Sequence, residues 1–237
     1  MPQDALLPKM RPGTAVDFLR DMMSGLCFSF ARYGDSDWHS LLEINSTNAD
    51  GHGHFDSLRQ EKLKGLRNPE IRKGYGGQIR RLNGQEVHDW LIENSMEDLV
   101  FYQQDIFIYM LQDSLAHGTR FPLLDVLDNR NVVTVGPDYH RLLGVWMPVM
   151  EHVEIPGVNC YQEVDRIADE VLDGIEDGDV VLISAGMAST VLVDRLHGKF
   201  QGWILDLGSV WEPLLGRCTR TWHKQFIQDL QRNATQR

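Results

Sequence analysis

The stretch "FARYGDSDWHSLL", residues 30 to 42, sets Asp35 and Asp37 one residue apart in a glycine-containing turn, after an apolar run and before a helical pattern. Two carboxylates at that spacing near a strand end can grip a divalent cation, Mn²⁺ or Mg²⁺, through hard oxygen ligands, and such an ion can hold a diphosphate. Asp37 is equally placed to cap the helix that starts near Trp38. Arg32 and Gly34 flank the pair. The guanidinium can close an ion pair with an aspartate, or it can take a phosphate in bidentate geometry.

The second half of the chain holds three more polar clusters, each after an apolar run. In "SAGMAS" (Ser184, Gly186, Ser189), Gly186 reads either as a tight turn or as the start of an anion site built from backbone amides. The absence of a G-K-[ST] sequence there excludes a Walker loop. In "GPDYHRLL", His140 is either a catalytic or nucleotide-contacting imidazole or a surface helix residue. In "DLGSVWE", Glu212 could serve as a base, and Trp211 is a core residue or a platform for a sugar or base.

These residues need a frame. A chain of 237 residues with 42% hydrophobic content can build one α/β domain over residues 1–237. Short apolar runs predict strands at 26–31, 131–137 and 150–157, and in "GDVVLISAG" and "GWILDLGS". Helical spacing predicts helices after the cap Thr14, near 55–66 and 84–94, over much of 102–116, in "YQEVDRIADEVLDGI" and in "MASTVLVDRLHGKF". The strand, helix, strand succession from residue 178 to 209 is the pattern of a right-handed parallel crossover. It predicts a Rossmann-like fold, an open, mostly parallel sheet flanked by helices, with ligands outside the carboxyl ends of the strands. Residues 55–125 read as a helical, partly basic insertion, and 217–237 as a polar tail.

Charge and cysteine content narrow the classes. The net charge of −11 argues against general nucleic-acid binding. Between Arg59 and Arg81, however, eight basic residues stand against two acidic ones. That segment is either a solvated face or an acceptor-side surface for an anionic acceptor such as DNA, with Arg72, Lys73, Arg80 and Arg81 supplying charge and Tyr75 stacking on a ring. Cys27, Cys160 and Cys218 show neither metal nor redox spacing, which predicts a reducing cytoplasm. No stretch approaches the length of a membrane span.

The arginine, aromatic, glycine and D-x-D of "FARYGDSDWHSLL", with "VVLISAGMASTVLVDRL" and "GWILDLGSVWE", resemble the GT-D-type glycosyltransferases over roughly residues 26 to 215. The resemblance implies a metal-dependent transferase using a nucleotide-diphosphate sugar, a UDP-sugar first among them. By position it assigns Asp35 and Asp37 to the metal; on that reading Arg32, Gly34, Ser184, Gly186, Ser189 and Ser209 are the donor-side candidates, and Asp206 is the candidate for the catalytic base or for orientation of the donor sugar. Asp37 stands where that family usually has Glu, and Ser209 where it has His. The competing expectation is a non-catalytic α/β module that binds a nucleotide or an anionic polymer through residues 59–81.

Overall fold

The computed structural model describes residues 8–44, 51, 53–76 and 84–234. Its strands are β1 (Lys9–Met10), β2 (Phe28–Tyr33), β3 (Ile71–Tyr75), β4 (Val100–Gln103), β5 (Val132–Gly136), β6 (Val149–Glu154), β7 (Val180–Ile183) and β8 (Trp203–Asp206). They form one sheet in the order β1-β4-β3-β2-β8-β7-β5-β6, and every pairing is parallel. The helices are α1 (Ala15–Met23), α2 (Asp35–Leu41), α3 (Asp56–Arg67), α4 (Gly84–Glu93), α5 (Ile106–His117), α6 (Pro122–Leu127), α7 (Val164–Asp173), α8 (Ser189–Leu196) and α9 (Thr221–Ala234).

Successive side chains of a strand point to opposite faces, and the two cores follow that alternation. Ala31 and Tyr33 of β2, Val181 and Ile183 of β7 and Ile204 of β8 join one core with residues of α2, α3, α4, α7 and α8. Phe28 and Phe30, Val180 and Leu182, and Trp203 and Leu205 join the other, with α1, α5, α6 and α9. Burial on both faces explains why these strands read as unbroken apolar runs.

The crevice arises where two neighbouring strands send the chain apart. β2 pairs with β8 through Phe28↔Trp203, Ser29↔Ile204 and Phe30↔Leu205. Beyond β2 the chain turns into α2, whose Trp38 and Leu41 lie in the first core. Beyond β8 it turns the other way, placing Leu207, Val210 and Trp211 in the second. Such a divergence is the switch point at which open α/β sheets bind ligands.

Three expectations are corrected. Residues 55–125 are not a helical insertion, because β3 and β4 lie inside the sheet, where β3 pairs with both β2 and β4. The helix expected over much of 102–116 is α5, Ile106–His117, and Val100–Gln103 just before it is recruited as a strand. Residues 217–237 are not simply a polar tail: α9 packs against α5, with Phe226 and His223 buried. The first strand is also displaced, to Phe28–Tyr33, and Leu26 is left half exposed with its carbonyl accepting from Trp203 Nε1 at 2.8 Å.

Gly74 and Gly76 serve close approach. A Cβ on Gly74 would come within 2.9 Å of both Gln104 Cα and Phe30 Cζ, and one on Gly76 within 2.3 Å of Gln104 Nε2. Gly74→Ala should therefore force β3 and the Gln104 backbone apart and lower the unfolding free energy by roughly 1–3 kcal/mol, read from urea denaturation.

Candidate active site

Arg32, the penultimate residue of β2, organises the crevice. Its backbone N–H donates to Asp206 Oδ2 at 3.1 Å, taking the place of a ladder bond where β2 and β8 separate. Its Nε donates to the Gln104 carbonyl at 3.0 Å, and its Nη2 donates to Asp105 Oδ1 at 2.8 Å. Nη1 has no hydrogen-bond partner among the described residues and lies over Gly208, where a Cβ would come within 2.1 Å of it. Gly208 has φ +54°, so glycine is required there on both backbone and steric grounds.

Asp206, at the end of β8, is buried. Its Oδ1 accepts the Gly208 N–H at 3.2 Å, which folds the D-L-G turn back onto the carboxylate. Removal from water pushes this carboxyl up to about 7; Arg32 pulls against that rise and the nearby charge of Asp37 adds to it. Ser184 donates to the Gly208 carbonyl at 2.7 Å and so steadies the same turn.

The two aspartates of the D-x-D stretch play different parts. α2 starts at Asp35 rather than near Trp38, with Gly34 as its N-cap, and Asp37 Oδ2 accepts the Gly34 N–H at 3.0 Å. Asp37 Oδ1 lies 2.6 Å from Lys62 Nζ of α3. This is a charge contact whose angles fall outside those of a hydrogen bond. Lys62 is 0% exposed. The half-buried Asp35 has a carboxylate with no hydrogen bond or ion pair among the described residues.

A divalent ion fits this arrangement in part. Among the described residues no three His, Cys, Asp or Glu side chains form a metal cluster. Magnesium-type sites nevertheless use one or two carboxylates together with substrate phosphates. Asp35 fits that use, whereas Asp37 is committed to a buried ammonium.

Other expected site residues lie elsewhere. Glu212 is nearly saturated: it accepts from Tyr139 Oη at 3.1 Å and, at very short range, from the Thr219 hydroxyl. His223 faces it at 3.3 Å, but burial lowers this imidazole to about 4, and its Nδ1 accepts the N–H groups of Thr219 and Arg220. The contact is therefore not an ion pair at neutral pH. His140 is buried against Gly136 at the end of β5, which β7 separates from β8, and burial lowers it to about 4. Ser189 faces inward, accepting the Ala185 N–H at 3.0 Å, and Gly186 forms an exposed turn at φ +56°. Ser209 sits half buried beside the Asp206 turn. Trp211 is wholly buried against Phe121 and offers no stacking face.

Much of the described part of the basic segment is paired or buried within the fold. Arg59 pairs with Glu43, Lys62 with Asp37, Lys64 with Asp194 and Arg72 with Asp21. Arg72 also stacks on Phe28 at 3.9 Å. Lys73 is buried and donates to the carbonyls of Asn68 and Ile71, while Tyr75 is buried against Trp38 and Phe101. Arg72, Lys73 and Tyr75 thus form no acceptor-side surface, and Arg80 and Arg81 lie outside the described residues.

Lys62, Gln104 and Asp105 escaped sequence reasoning. The helix expected over much of 102–116 drew in the last two, although "VFYQ" before Asp105, the N-cap of α5, was a usable strand-then-cap signal. Lys62 had none, being one cation in a basic run.

No protein-family model matches the chain, and no curated protein matches it. Solved structures do share its fold. A selenomethionine-substituted structure of domain of unknown function 1792 (DUF1792) is 16% identical, with a TM-score of 0.59 over 88% of this chain and 82% of that one. Another, in which this highly conserved domain is described as having a distinct glycosyltransferase fold, is 15% identical, with a TM-score of 0.55 over 88% and 82%. A third, described as a new glycosyltransferase (DUF1792) from Streptococcus sanguinis, is 12% identical, with a TM-score of 0.60 over 86% and 82%. The chain therefore carries the α/β fold seen in DUF1792.

Two outcomes follow from the site electrostatics. The Asp206 carboxyl carbon should titrate near pH 7 in NMR, and Arg32→Ala should move it higher, because the guanidinium is the strongest downward influence. Since folding raises this acid, its stabilising contribution is full below about pH 4 and is lost as pH rises through about 7. Thermal melts of wild type and Asp206→Asn across that range should diverge accordingly. Asp37→Asn leaves the buried Lys62 ammonium without its partner and should cost about 3–5 kcal/mol in denaturant unfolding.

Proposed function

We propose that this chain is a glycosyltransferase that moves a sugar from a nucleotide-diphosphate sugar to an acceptor hydroxyl. The observation that carries the reading is the juxtaposition, at the β2/β8 switch point, of a fixed guanidinium with an open N–H edge and a buried carboxyl poised near neutral pH. The likeness to structures described as glycosyltransferases supports it.

Arg32 would donate Nη1–H to the donor's diphosphate. Its orientation is set beforehand by Asp105 and the Gln104 carbonyl, so little side-chain freedom is lost on binding. Asp206 would receive the acceptor's proton, since each of its oxygens keeps a second lone pair beyond the backbone amide it already accepts. The acceptor oxygen bonds to the anomeric carbon, the bond from that carbon to the phosphate oxygen breaks, and its electron pair leaves with the diphosphate. Asp35 would hold a divalent ion, Mn²⁺ or Mg²⁺, whose charge would offset that of the leaving diphosphate.

A carboxyl near 7 suits a general base at neutral pH, because it is both partly ionised and basic enough to accept a proton. The three free thiols, Cys27, Cys160 and Cys218, support a cytoplasmic place of work. Among the described residues no helix is long and apolar enough to cross a membrane. The pairing of Arg59, Lys62, Lys64 and Arg72 with carboxylates of this chain weakens the anionic-polymer reading.

Incubation with UDP-, GDP- and TDP-sugars and Mn²⁺ should release a free nucleoside diphosphate from one of them, at a rate that rises with pH through about 7. Asp206→Asn should lower transfer about 10²–10⁴-fold and remove that pH dependence. A full panel with no nucleotide released would overturn the reading.

A further inference from the structure

We infer that Lys62 is the resident counterion of Asp37, so that the D-x-D turn offers a divalent cation one carboxylate, Asp35, and the ion binds only together with a diphosphate-bearing ligand. The second half of this statement rests on the donor reading above; the first rests on geometry alone.

Both aspartates belong to the first turn of α2, Asp35 as its first residue and Asp37 two residues on. At ~100° per residue, side chains two apart diverge by ~200° around the helix axis, so they do not converge on one ion. The burial pattern agrees: Asp37 is 7% exposed, while Asp35 is half buried.

Asp37 is also occupied from two sides. Oδ2 accepts the Gly34 N–H at 3.0 Å, and Oδ1 meets Lys62 Nζ at 2.6 Å. A metal ion approaching Asp37 would come against a second cation with no water between them, where repulsion is little screened. Nor can Lys62 withdraw easily. It lies within α3, where Leu58 and Leu66 are wholly buried, and its own carbonyl accepts from Tyr33 Oη at 3.4 Å. An ammonium at 0% exposure needs a counter-charge, and Asp37 is its ion-pair partner.

Lys62 is thus a positioning residue. It holds Asp37 as the brace of the Gly34 turn and leaves Asp35 as the carboxylate of the D-x-D turn with no partner among the described residues. One carboxylate is a weak site for a hard divalent ion, and phosphate oxygens must complete the coordination.

The experiment is an electron paramagnetic resonance titration of Mn²⁺ with the full chain, alone and with UDP, GDP or TDP. Wild type should show no saturable binding of Mn²⁺ alone. It should take up a stoichiometric ion once a nucleoside diphosphate is bound, and Asp35→Asn should lose that ion. Lys62→Met removes the buried ammonium that an approaching cation meets at Asp37 and should bind Mn²⁺ alone at least ~10-fold more tightly than wild type, because that repulsion is little screened. The Asp37→Asn/Lys62→Met double variant removes both charges together, which keeps the test readable if Lys62→Met does not fold. It should melt nearer the wild type than Asp37→Asn does and still bind Mn²⁺ with the nucleotide. Saturable binding of Mn²⁺ alone to the wild type that disappears in the double variant would overturn the inference. Failure of every nucleotide to bind, with or without Mn²⁺, would overturn the donor reading instead, and the metal-alone comparison would still decide the role of Lys62.

Discussion

The hydrogen bond from the Arg32 backbone to the Asp206 carboxylate is the contact on which the crevice depends. In the β2/β8 ladder the partners run in step as far as Phe30 and Leu205. Past that point the strands separate toward opposite cores, and a buried backbone N–H would be left without an acceptor. Asp206 supplies one from its side chain, then takes the Gly208 amide with its other oxygen. One carboxylate thus closes the end of the ladder and shapes the turn over which the Arg32 guanidinium lies. The same burial that makes this hydrogen bonding necessary keeps the carboxyl close to neutrality.

The rest of the site follows from balancing charge in a dry place. Two cations face three inner carboxylates: Arg32 is paired with Asp105 and Lys62 with Asp37, while Asp206 holds a proton readily instead of recruiting a third cation. Asp35 remains outside this balance. It is the carboxylate of the group whose charge is not spent within the described structure. Buried ion pairs of this kind add little net stability over apolar replacements, yet removing a single member is costly. They define orientation: Asp105 fixes the guanidinium plane, and Lys62 fixes the carboxylate that braces Gly34.

The C-terminal segment contributes through the same logic. The loop after β8 carries Glu212, and its two oxygens are claimed by Tyr139 from the turn after β5 and by Thr219 just before α9. Arg217 lies 3.9 Å over the Tyr139 ring. Burial keeps His223 neutral while it caps the backbone leading into α9. This cluster ties the Asp206 turn to α9, and α9 in turn packs on α5, the helix that Asp105 caps. Two routes from the guanidinium partner and from the carboxyl turn therefore meet in one packed layer.

The sequence alone determined the apolar strands of the second half, the parallel crossover and the convergence of polar strand ends, because doubly buried strands and amphipathic helices leave periodicities that survive in one dimension. It also singled out Arg32, Gly34, Asp35, Asp37 and Asp206 as a group. Tertiary structure decided which of them touch. Ile71–Tyr75 is a strand despite Arg72, Lys73 and Gly74, because Asp21, nearby carbonyls and the close-packed Gln104 satisfy those residues from afar. The basic run reads as a surface in the sequence, yet its Lys62, Lys64 and Arg72 are paired once their aspartate partners arrive from other elements. The meaning of the D-x-D pair was settled the same way. Spacing sets the two carboxylates side by side, but the helix turns them apart and a lysine 25 residues downstream, buried by the packing of α3 on α2, claims one of them. Long-range charge compensation has no sequence period, so only the folded arrangement could reveal it.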